Sequence, residues 1–135
     1  MVGTPLMTVT QPRPDLVAHS HAMRADIGTV AREVRDLLGA RLGAYVAGVG
    51  ETRALHEWAD GTRAPGAEAQ RRLRLALQLA TMIAGRDGGP TAQAWFQGLN
   101  PQLEDRSPAR LIREGDLDDV GGQVVSAARA FVVGG

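Results

Sequence analysis

Residues 71–85 read RRLRLALQLATMIAG. Leu73, Ala76, Leu77, Ala80 and Ile83 recur there at three- and four-residue spacing and form one stripe along a helix. Leu75, Leu79 and Met82 form a second stripe on an adjoining face. A helix that is apolar around so much of its girth is buried on two sides, either inside the fold or against another subunit. No stretch of the chain alternates apolar and polar residues as a half-buried strand does, so an all-α fold is expected.

On the N-terminal side, GTRAPGAEAQ (61–70) is a turn containing Pro65. Before it, ETRALHEWADG (51–61) is a helix that turns Leu55 and Trp58 inward. ARLGAYVAG (40–48) is a shorter helix burying Leu42, Tyr45 and Val46. DIGTVAREVRDLLG (26–39) opens with Asp26 as N-cap, aligns Ile27, Val30, Val34, Leu37 and Leu38 on one face, and stops at Gly39. Residues 1–22 carry three prolines and no period and are expected to be a mobile tail, in which Met7 is an alternative start to Met1. His19 and His21 in this tail are two potential metal ligands without a third.

On the C-terminal side, AGRDGGP (84–90) is the candidate linker. Helices are expected over Thr91–Leu99, over Ser107–Glu114 with a Ser cap and Pro108 in the first turn, and over Leu117–Phe131. Gly121 and Gly122 each cost about 1 kcal/mol relative to Ala inside a helix. They predict a late helix start or a close helix–helix approach. Trp95 and Phe96 are adjacent, so one ring is expected to point away from the core that holds the other.

Charge is balanced overall but not locally. Residues 66–86 hold four arginines against Glu68, whereas residues 87–135 hold four arginines against seven acids. With no lysine anywhere, the basic surplus is confined to one helix, which argues against tight non-specific binding to DNA. No cysteine is present, which excludes disulfides and thiol catalysis. No apolar run approaches about 18 residues, and residues 1–18 lack the core of a signal peptide, so a cytoplasmic protein is expected.

Enzymatic readings find little support. The glycines at 43, 48 and 50 lack the Gly-Lys-Ser/Thr and the preceding strand of a phosphate loop. His56 and Glu57 are neighbours on a helix and point about 100° apart, so they do not converge on one atom. The acids of GDLDDV (115–120) lack cation-loop spacing and suit a helix N-terminus. No catalytic residue, metal ligand set or cofactor is assigned.

Leu42–Asp60 has helix-turn-helix character: Ala44 is small where the helices cross, Gly48 and Gly50 permit a sharp turn, and Leu55 and Trp58 lock the second helix on the first. Its outward residues would be Thr52, Arg53, His56 and Glu57. Arg53 offers a contact to a guanine edge or a phosphate, and Arg63 a further phosphate contact. The same pattern also occurs in plain helical bundles, and Glu51, Glu57 and Asp60 repel phosphate. The segment AWFQGLNPQLEDRSPARLIREG (94–115) makes a fixed corner between two helices, with no nucleophile and base together. That suits an interaction module, and equally one half of a helical bundle.

From about Val30 to Phe131 the chain resembles the Xre/MbcA/ParS-type antitoxins that pair with RES-domain toxins. LGARLGAYVAGVGETRALHEWADGTRAP, followed by RRLRLA, resembles that family's Xre-like helix-turn-helix. AWFQGLNPQLEDRSPARLIREGDLDDV resembles its toxin-binding domain: a Trp, then Leu-Asn-Pro-x-Leu, then Ser-Pro-Ala-x-Leu-Ile and a Gly. The resemblance implies an Xre-like helix-turn-helix domain over residues 23–86 and a toxin-binding domain over 87–135. It also implies a non-enzymatic antitoxin that covers the active site of an NAD-consuming RES-domain toxin, forms a homodimer within the complex, and regulates its own operon through DNA. Carried over by position, Trp95, Leu99, Asn100, Pro101, Leu103, Pro108, Leu111 and Ile112 frame the toxin-binding domain, and Phe131–Gly135 is a candidate plug. Thr52, Arg53, His56 and Arg63 would face DNA. One departure is that the chain is one residue longer between Gly48 and Trp58 than the family's usual spacing, which bears on how the second helix is presented. The alternative is a stand-alone helix-turn-helix regulator whose main ligand is operator DNA.

Overall fold

The computed structural model describes residues 13–134. The described residues form eight α-helices and a 3-10 turn with no named strand: α1 (Pro14–Arg24), α2 (Ile27–Leu38), α3 (Ala40–Ala47), α4 (Thr52–Asp60), α5 (Ala67–Asp87), α6 (Gly89–Gln97), the turn Pro101–Leu103, α7 (Pro108–Glu114) and α8 (Leu117–Gly134). The fold is all-helical, and α5 is its centre.

At 21 residues, α5 is the longest helix, about 32 Å from end to end. Helices α1, α2, α3, α6 and α8 all pack on it. Both of its apolar stripes are covered from within the chain. Leu73, Ala76, Leu77, Ala80 and Ile83 are buried on one side. Leu79 and Met82 are buried and Leu75 half-buried on the other, where Leu75 lies between His19 of α1 and Leu117 of α8.

The covering by α1 corrects the expectation of a tail through residue 22. Pro14–Arg24 is a helix, with a proline in its first turn and Ala18 and Ala22 buried. Arg74 of α5 donates from one guanidinium nitrogen to the carbonyls of Ala22 (2.9 Å) and Ala25 (2.7 Å), satisfying C=O groups that the end of a helix leaves free. Small alanines make the buried stripe, so no hydrophobic period advertised it. Residues 1–12, and with them the choice between Met1 and Met7, lie outside the described residues.

Asp26 caps α2 as expected, accepting from the Thr29 amide at 3.1 Å and from its hydroxyl at 2.8 Å. After α3 the chain turns at Gly48, whose φ of 91° lies in the left-handed region that glycine tolerates best. Helices α3 and α4 meet closely at Gly43 rather than Ala44. A Cβ on Gly43 would stand 2.8 Å from a Leu55 methyl and 3.2 Å from a Val34 methyl, whereas Ala44 is an ordinary buried residue.

Residues 84–90 do not form a linker. Helix α5 runs on through Asp87, and only Gly88, at φ 90°, separates it from α6. Buried residues from α1 to α8 join in one hydrophobic cluster. Polar ties also cross between the halves: Gln93 of α6 donates to the Leu37 carbonyl at 3.1 Å, and Arg113 of α7 donates to the Tyr45 carbonyl at 2.8 Å. Gly121 and Gly122 mark neither a late start nor a close approach. Helix α8 begins at Leu117, and a Cβ at either glycine would meet nothing within 4 Å.

Candidate partner-binding groove and the α4 face

Helix α6 is wedged among α2, α5 and α7. That explains why both Trp95 and Phe96 are buried, against the expectation that one ring would face outward. Residues 100° apart on this helix each find a wall, and the rings meet edge to face at 5.3 Å and 82°, a favoured aromatic geometry.

The resemblance-derived framework residues divide into two groups. Leu103, Pro108, Leu111 and Ile112 are core. Trp95, Leu99, Asn100, Pro101 and Phe131 converge on an open, predominantly apolar groove of about 500 Å³ between the end of α6, the 3-10 turn and the last turns of α8. Leu99 is 75% exposed at the lip of this groove. Phe131 is half-buried and sits within α8, which continues to Gly134, so it is not on a free tail. Gly135 lies outside the described residues.

Asn100 builds the groove's rim. Its side chain accepts from the Gln102 amide at 2.9 Å. Its backbone carbonyl accepts from Leu103 and Asp105, both at 2.9 Å, and its amide donates to the Arg106 carbonyl at 3.1 Å. This closes residues 100–106 into a tight loop with Pro101 at the start of the 3-10 turn. Glu104 and Asp105 both adopt left-handed φ, 57° and 61°, a conformation that costs a non-glycine residue on the order of 1 kcal/mol or more. The loop presents their carboxylates to solvent. The Trp95 indole N–H is buried without a hydrogen-bond partner.

Thr52, Arg53, His56 and Arg63 are all exposed on or just beyond α4. The two arginines among them already hold a carboxylate. Glu57 accepts from Arg63 at 2.9 Å and from Arg53 at 3.1 Å. Hydrogen bonds from Arg63 and then Arg53 hold its carboxyl below the ordinary glutamate range. Arg35 donates to Nδ1 of His56 at 3.1 Å. Since a guanidinium only donates, that ring nitrogen is the acceptor.

Two side chains have roles in the structure that the sequence does not display. Glu57 stands in the sequence as an outward residue, a poor acid/base partner for His56 and a charge unfavourable to phosphate, but not as the shared acceptor of two arginines. Arg113 was not noted at all, because its partners Tyr45 and Val49 lie 68 and 64 residues away. The spacing of Glu57 four residues after Arg53 was the one available signal.

Among the described residues there is no group of three or more His, Cys, Asp or Glu that could hold a metal ion, and no helix long and apolar enough to cross a membrane. No family model matches the chain, and no curated protein or solved structure matches it.

Proposed function

We propose that the chain is an antitoxin of the Xre/MbcA/ParS type that binds a RES-domain, NAD-consuming toxin and neutralises it by covering its active site. The observation that carries this reading is the convergence of Trp95, Leu99, Asn100, Pro101 and Phe131, from three separate elements, on one exposed apolar groove. Such a groove, with Leu99 exposed at its lip, offers a partner an anchor pocket. Neutralisation is then steric and needs no cofactor from this chain. A stable complex would bury about 1,200–2,000 Å² in total, and the acid-rich loop beside the groove favours a partner with a basic rim.

On this reading the chain works as a homodimer within the complex, and α3, the Gly48 turn and α4 form an Xre-like helix-turn-helix that regulates the operon. Co-expression with the RES-domain protein encoded next door tests the proposal. Co-purification and restored growth support it; a toxic neighbour that stays toxic and unbound removes it. The alternative of a stand-alone regulator rests on the exposed cations of α4. It requires tight operator binding, in a gel shift, by a chain with no toxin gene beside it.

A further inference from the structure

The exposed face of α4 is arranged unlike a simple phosphate-binding surface. Arg53, with 81% of its side chain exposed, reaches forward four residues to Glu57. Arg63 reaches the same carboxylate from beyond the end of the helix. Glu57 itself is only 25% exposed, held between the two guanidiniums. Neighbouring cations are occupied as well: Arg32 donates to the Ala59 carbonyl at 3.1 Å and Arg35 to His56. The Thr62 hydroxyl and the Thr62 and Arg63 amides fold onto the Glu57 backbone carbonyl, which fixes the approach of Arg63.

We propose that Glu57 is the specificity-determining residue of α4, an internal counter-ion that occupies Arg53 and Arg63 and so filters out binding to bare backbone phosphate. This rests on the reading of α4 as a DNA-facing helix. Each arginine holds the carboxylate through a single nitrogen, so a phosphate that takes the remaining N–H donors is still brought up against the negative charge of Glu57. A duplex site that offers a donor to Glu57, such as the amino group of cytosine, faces no such penalty while Arg53 takes a guanine edge. Non-specific affinity, which comes from neutralised phosphates, is therefore kept low without loss of the arginines needed for reading.

The test measures anisotropy of a labelled random-sequence duplex of roughly 30 base pairs, titrated with the full chain between about 50 and 200 mM salt. Glu57→Gln is expected to bind it about tenfold more tightly than the unaltered chain at the lower salt. Its log–log salt dependence should steepen by about 1–2, the signature of one or two added phosphate contacts. Arg53→Ala placed on Glu57→Gln should remove most of the gain. Glu104→Gln, which deletes the same charge in the loop after the 3-10 turn, should leave affinity unchanged. Equal binding by the unaltered chain and Glu57→Gln, or an equal gain in Glu104→Gln, overturns the filter while the DNA-facing reading of α4 stands. No binding by either chain at low salt overturns both. Melting curves accompany each titration, and Glu57→Ala replaces Glu57→Gln if the latter does not fold.

Discussion

Arg113 of α7 joins the two halves of the molecule through Tyr45 of α3. Its guanidinium donates to the Tyr45 carbonyl at 2.8 Å and lies 4.7 Å from the centre of the same ring. A second bond, 3.3 Å to the Val49 carbonyl, extends the contact to the turn between α3 and α4. Charge-assisted hydrogen bonds and a partly desolvated cation–π contact act together here. Arg113→Ala should therefore destabilise the fold by about 1–3 kcal/mol in a denaturant titration. Arg113→Lys should recover only part of the loss, since an ammonium lacks the planar fork. A change within about 0.5 kcal/mol for Arg113→Ala would remove this tie as a structural element.

Gly43 and Gly122 predict opposite outcomes for the same substitution. Gly43→Ala places a methyl 2.8 Å from Leu55 and 3.2 Å from Val34, so overpacking should cost about 1–3 kcal/mol. Gly122→Ala adds a methyl in open space within α8 and should stabilise by up to about 1 kcal/mol. Thermal melting of the two variants should bracket the unaltered chain.

The groove and the core also separate by mutation. Ile112→Ala removes a fully buried side chain and should cost about 2–5 kcal/mol. Leu99→Asp changes an exposed one and should leave folding stability within about 0.5 kcal/mol. A large loss of stability in Leu99→Asp, read from its denaturation midpoint, would place Leu99 in the core instead.

Acid sensitivity has a defined sign. The amide and hydroxyl of Thr29 lower the Asp26 pKa from its ordinary value of 3.8, and arginines 63 and 53 lower that of Glu57. Such groups contribute stability that is fully present above the unfolded pKa and is lost as pH falls through the lower folded value. The melting temperature should thus hold steady above about pH 5 and fall below about pH 4. Asp26→Asn, which keeps a capping side chain but cannot titrate, should flatten the fall; an unchanged slope would show that Asp26 has no share in it.

Much of this architecture was legible because it depends on large residues at helical spacing. The stripes of α2 and α5, the Asp26 and Ser107 caps and the Gly48 turn are all local patterns. Helix α1 was not legible, because alanines bury its face and its terminus is capped by Arg74, some 50 residues away in the chain. The two-sided burial of Trp95 and Phe96 was hidden for a related reason: it depends on α2 and α7 closing over α6. Of the site, the resemblance named a segment part of which lines the groove, but did not divide it. Only burial separates groove residues such as Leu99 and Pro101 from core residues such as Leu103 and Ile112.

The most direct test of the proposed function is a calorimetric titration of the purified chain, and of its Leu99→Asp variant, against a purified RES-domain toxin, the partner class that the proposal names. The groove predicts a complex with Kd near or below about 1 µM, weakened at least roughly 30-fold by Leu99→Asp, which sets a charge on the exposed apolar lip that a partner would bury. A complex of equal affinity in both, or no complex with the unaltered chain, would contradict the groove as the seat of toxin binding.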